Sequence, residues 1–165
     1  MDEYFVKKFG EISSIPDIFE LVKEAVWKVL SKSRAGLDLG MVELGNLPEG
    51  LIGAYYVAGS NIIVMNETPL KRITETDPKL LKPYTFSVLL HEYLHSLGEL
   101  DEEIARRLTY EVCLKVFGEN DIVTEISMDM KKFFPNIIYP EGSPQTNAPI
   151  KLIKDFDKSS TRYIG

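Results

Sequence analysis

The chain holds only two histidines, and they stand four residues apart in the run His91-Glu92-Tyr93-Leu94-His95. On an α-helix, residues i and i+4 lie one above the other on a single face. Two imidazoles placed so can converge on one zinc ion, each nitrogen about 2.0–2.1 Å from the metal. Glu92 follows the first histidine and can reach a water on that metal. It can take the water's proton as general base and later return it to a leaving amine. Zinc brings the pKa of such a water to about 7, which makes hydroxide available at neutral pH. The chemistry on offer is hydrolysis. Two histidines scattered at random in a chain of this length fall four apart in about 1% of cases, and in far fewer with glutamate after the first.

A catalytic zinc takes three protein ligands and keeps one position open. Histidine is exhausted, so the third ligand must be a carboxylate. The nearest acids downstream are Glu99, Asp101, Glu102 and Glu103. Asp101 also reads as a helix N-cap. In that case Glu102 and Glu103 fall in the first turn of the next helix, and Glu99 on the turn before it.

These groups need a scaffold. A helix is expected from about Tyr84 to Leu97, stopped by Gly98. Its wheel gathers Phe86, Leu89, Leu90, Tyr93, Leu94 and Leu97 on one side. His91 and His95 fall opposite with Val88 and Tyr84, so one face should enter the core and the other should face a cleft. A second helix should run from the Asp101 cap to Gly118, and a third, capped by Asn120, from Asp121 to about Phe133 with Ile122, Ile126, Met130 and Phe133 on one face. Upstream, the first expected helix spans Pro16 to Ser31. Met41–Leu44, Leu51–Ala58 and Asn61–Met65 read as strands, the last two paired antiparallel about Gly59-Ser60. A helical turn is expected in Pro69–Thr76. After Pro135, the prolines at 140, 144 and 149 and Gly142 break up any long element. The fold class is thus α/β (α+β): a small, mostly antiparallel three-stranded sheet on an active-site helix with flanking helices. One domain is expected over residues 1–165, with its core at about 16–133 and an irregular extension at 134–165.

Composition narrows the options. The chain has 165 residues, 44% of them hydrophobic, with 25 acidic and 19 basic side chains and a formal charge of −6. That apolar content suits a folded domain, not a disordered one. The acidic balance argues against a broad basic surface for nucleic acid, leaving only local pairs such as Lys71-Arg72 and Arg106-Arg107. No apolar run approaches the roughly 20 residues of a bilayer span, and Met1-Asp2-Glu3-Tyr4 does not open a signal peptide, so a cytoplasmic location is expected. A single cysteine, Cys113, excludes an internal disulfide and reads as a core residue in a helix.

The segment Leu90–Gly98 with the acidic run at 101–103, preceded by Gly53–Asn66, resembles the zincin metallopeptidases. More narrowly, it looks like the small archaeal-type minimal zincins known as minigluzincins. The likeness spans roughly residues 40–117. It implies a zinc-dependent peptidase with Zn2+ on His91 and His95, Glu92 as catalytic base, and a peptide or protein as substrate. In the metzincin variant of the motif, glycine stands three residues after the second histidine and the third ligand three later. Gly98 and Asp101 occupy those offsets, so Asp101 is the first choice for third ligand. Glu102 is the nearest competitor, then Glu103, as in glutamate-type zincins. A metzincin would carry histidine where this chain has Asp101 and a methionine turn under the metal; Met128 and Met130 read instead as core residues of a helix. In such folds the sheet's edge strand pairs with extended substrate, which makes Tyr55 and Tyr56 candidates for the rim.

Other residues carry weaker expectations. Tyr139 is a candidate to stabilise an oxyanion, against a simple packing role. The tail after Pro140 is a candidate to cover the cleft, with Asp155 or Asp157 filling the open metal position. The rival to a peptidase is a non-enzymatic or latent zincin-like module that binds a partner peptide by strand addition.

Overall fold

The helix that carries both histidines is buried nearly all round. In the computed structural model, which describes residues 1–140, 142–153 and 156–157, this helix, α4, runs Leu81–Ser96. Every residue from Pro83 to Ser96 is buried. Even so, His91 and His95 line cavities while Phe86, Leu89 and Leu90 pack in the core, as the helical wheel expects. The helix is enclosed because layers pack on several sides of it: α2 (Ile15–Leu30), α5 (Glu102–Phe117), α6 (Ile122–Met128) and strand β3 (Ala54–Tyr56) all contact it. Each fully buried Leu or Phe, such as Phe86, Leu89 and Leu90 at 0% exposure, contributes about 1.5–3 kcal/mol. Among the described residues, no helix is long and apolar enough to cross a membrane.

The architecture is mixed α/β. Besides α2, α4, α5 and α6, the helices are α1 (Glu3–Glu11), α3 (Glu67–Thr76) and α7 (Met130–Phe133), and a 3-10 turn at Pro78–Leu80 leads into α4. The main sheet has four strands, in the order β3, β4 (Ile62–Asn66), β1 (Asp38–Val42), β6 (Lys151–Ile153). β3 and β4 pair antiparallel, as the sequence suggests, with Tyr55 opposite Val64. β1 runs parallel to β4, and β6 closes the far edge antiparallel to β1. A second small sheet joins β2 (Leu51–Ile52) in parallel to β5 (Ile137–Ile138). The expected strand 51–58 is split at Gly53, where an added Cβ would lie 2.8 Å from the Tyr84 hydroxyl oxygen.

Local chemistry sets the helix ends. Ser14 caps α2 by accepting from the Asp17 amide at 3.2 Å. Asp121, not Asn120, caps α6, and the expected helix 121–133 breaks at Asp129, which caps α7. Met130 lies in the core, whereas Met128 is 70% exposed and does not pack there. The core also exceeds residues 16–133. Phe5 of α1 and Phe156 are both buried in the main hydrophobic cluster. Phe156 stacks on Phe19 with ring centroids 4.1 Å apart. Beside it the Asp157 carboxylate is 2.5 Å from the buried Lys23 ammonium and accepts from the Leu37 amide at 3.1 Å.

Candidate metal centre

The site is made by the turn between α4 and α5. Gly98, with φ of 108°, takes a backbone conformation that side-chain-bearing residues rarely adopt, and its amide donates to the His95 carbonyl. The chain then doubles back. Asp101 caps α5, its carboxylate accepting from the Ile104 amide at 3.0 Å. This tight return sets the first turn of α5 against the last two turns of α4.

The carboxylate that reaches the histidines is that of Glu102. One of its oxygens lies 2.9 Å from His91 Nε2 and the other 2.8 Å from His95 Nε2. Asp101, the first choice from the sequence pattern, is committed to the helix cap, and Glu103 is exposed. The carboxylate that faces the histidines is thus that of the residue after the one the motif offset picks. An aspartate at an N-cap spends its side chain on the backbone, while the next residue is free to project.

The two Nε2 atoms are 3.1 Å apart. Donor atoms at zinc-like distances around a tetrahedral ion sit roughly 3.3 Å from one another. His95 Nδ1 lies 2.5 Å from the Glu99 carbonyl oxygen, which can only accept. The Nδ1 proton therefore points there, and in the neutral ring Nε2 offers its lone pair to the centre, the usual arrangement of a metal-binding histidine. The Nε2 atoms of His95 and His91 and the Glu102 carboxylate thus converge on one point, where a proton or a metal ion would balance the carboxylate charge.

His91, Glu92 and His95 are 1%, 2% and 6% exposed, and their ligand atoms lie within 4.8 Å of one another. This buried group could hold a metal ion. The titration of the groups reflects burial and mutual charge. Burial raises the Glu92 carboxyl to about 8, despite the opposing pull of His95. Burial also pushes His91 down. For His95, the Glu102 and Glu92 carboxylates outweigh burial and the net shift is upward. For Glu102, burial alone would raise the carboxyl, but hydrogen bonds with both imidazoles bring it down to about 2. One Glu92 oxygen, Oε2, is buried with no hydrogen-bond partner among the described residues. A buried carboxylate oxygen left unpaired is costly, and this one lies beside the donor cluster.

The surroundings place the other sequence candidates. A cavity of about 140 Å3 is lined by Tyr55, Tyr56, Glu92, His95, Glu102, Pro140 and Gly142. Tyr55 and Tyr56 thus sit at the rim, as anticipated. The Tyr139 ring stacks on the His91 ring, centroids 4.1 Å apart and planes 19° from parallel. Asp157 lies at Lys23 and not at the histidines; Asp155 falls outside the described residues. Sequence reading missed Arg34. Its guanidinium donates to the Tyr56 hydroxyl and to the carbonyls of Ser60 and Ser96, at 3.1, 2.7 and 2.8 Å. It ties the β3–β4 hairpin to the end of α4. Nothing in the residues around Arg34 signals this, because all three partners are distant in sequence. No protein-family model, curated protein or solved structure matches the chain.

Proposed function

We propose that the chain is a zinc-dependent peptidase whose metal is held by His91, His95 and Glu102. The observation that carries this reading is the convergence of both Nε2 atoms on the two oxygens of one carboxylate, with the unpaired Glu92 oxygen beside them. Two imidazoles and a carboxylate are a common donor set of catalytic zinc. Bound there, zinc would supply Lewis acidity and a water that ionises near pH 7. Glu92 takes the water's proton at its free oxygen and passes it to the leaving nitrogen. Strand β3, with Tyr55 and Tyr56 at the rim, offers main-chain groups to an extended peptide. Arg34 holds that strand in place against α4.

One observation favours a second reading, a latent form of the same enzyme or a module that binds without cutting. Tyr139 covers His91, and Pro140 and Gly142 share the small cavity with Glu92 and His95. The test compares wild type with Glu92→Gln for bound zinc by elemental analysis and for hydrolysis of a mixed peptide library. The peptidase reading expects equal zinc and a loss of at least about 10²-fold in turnover. Glu92→Gln as active as wild type overturns the mechanism. Zinc in both with turnover in neither favours the second reading.

A further inference from the structure

A larger cavity, of about 320 Å3, opens on His91 and Glu102 and is walled by α4, α5, the α6–α7 corner and β5. Its size lies at the small end of ligand pockets, which suits one residue better than a length of chain. Its charges are unevenly committed. Both acids are engaged: Glu102 by the two histidines, and Asp129 as the cap of α7 that accepts from the Lys132 amide. Both cations are not. Arg106 and Lys131 line the cavity from exposed positions, and their side chains form no hydrogen bond or ion pair among the described residues. Ser87, 1% exposed, also lines it, and its hydroxyl has no hydrogen-bond partner among the described residues. A guanidinium, an ammonium and a buried hydroxyl are all donors, and free donors of this kind suit a carboxylate.

Resting on the reading of the centre as peptide-hydrolysing, we propose that this cavity takes a carboxylate of the substrate, bound chiefly by Arg106 with Lys131 and Ser87. The carboxylate belongs to an acidic side chain or to a free C-terminus. Arg106 stands one helical turn beyond Glu102 on α5, so the bound carboxylate would lie within a residue's reach of the metal ligands.

The test is a binding measurement on the full chain, by calorimetry or NMR titration, both zinc-loaded and chelator-stripped. Three probes separate the sources. N-acetylglutamate amide carries only the side-chain carboxylate, N-acetylglutamine only the terminal one, and N-acetylglutamine amide neither. One of the first two should bind at least about tenfold tighter than the third, the size of one charge-assisted hydrogen bond. Which of them does so identifies the source. The preference should persist without zinc and fall to within about twofold in Arg106→Gln, with a smaller loss in Lys131→Gln. No preference in wild type, a preference that survives Arg106→Gln, or one seen only with zinc bound overturns the inference; in the last case the carboxylate sits on the metal. Hydrolysis is scored separately. An Arg106-dependent preference in a protein that cuts nothing overturns only the peptidase reading, and cutting without the preference overturns only this one.

Discussion

Glu102 and Asp101 are adjacent acids with opposite roles in the structure, and their exchange makes the sharpest prediction. Glu102→Gln keeps the shape of the side chain and removes the charge that both imidazoles face at 2.9 and 2.8 Å. Four-ligand zinc sites bind with about 10–16 kcal/mol at pH 7, so one ligand carries on the order of 3 kcal/mol, or about 10²-fold in Kd. Asp101→Ala removes instead the cap bond to the Ile104 amide. That costs about 1 kcal/mol of stability, roughly 2–4 °C in Tm for a chain this long, and should leave zinc affinity within about threefold of wild type. Asp101→Asn preserves the cap and drops the charge, so it should be silent in both measurements. The assay is competition for zinc against a chromophoric chelator, with thermal unfolding of the metal-free protein alongside. A hundredfold loss in Asp101→Asn with none in Glu102→Gln would refute the ligand assignment. No loss in either would refute the site.

Three further outcomes follow from the fold. Phe156→Ala deletes the ring stacked on Phe19 and should cost about 3–5 kcal/mol in urea unfolding; a change below about 1 kcal/mol would show that the end of the chain is not part of the core. Removing residues 141–165 takes away β6, Phe156 and Asp157, so any change in activity should come with a fall in Tm; a truncated chain as stable as wild type would contradict this packing. Cys113 is buried and its thiol is pushed up to about 12, so it should resist thiol reagents until the protein unfolds. Its folded pKa lies above the unfolded one, so the unfolded thiol ionises first. Stability should therefore fall as pH climbs from about 9 toward 12, and Cys113→Ala should blunt that fall in a pH series of urea titrations.

The legible parts of this protein are those whose signal is local. His91, Glu92 and His95 announce themselves by spacing, and helix 15–30 by its early proline and apolar stripe. The β3–β4 hairpin was visible in its Val- and Ile-rich arms around Gly59. What stayed hidden depends on partners far along the chain. α1 is short, with as many charged as hydrophobic residues, and is held through Phe5 and its packing on α5. β6 is three residues long and exists because β1 offers it an edge. The burial of α4 on all sides depends on how many layers surround it, which a helical wheel does not encode. Glu102 faces the histidines one residue past the position that the pattern picks, because the pattern counts residues and the cap decides which side chain is free.

The Lys23–Asp157 pair joins positions 134 apart in the chain. At about 5–20 residues per second, synthesis places the second partner roughly 7–27 s after the first. Throughout that interval Lys23 stands beside a core that lacks Phe156, and β1 lacks its outer neighbour. His91, Glu92, His95 and Glu102 have all been made well before then. A chain cut short before Phe156 therefore carries the whole His-Glu-x-x-His motif but not the packing against Phe19 and Lys23. Such fragments should be open to degradation, so the Lys23–Asp157 contact limits the stock of chains that hold the motif without the full core.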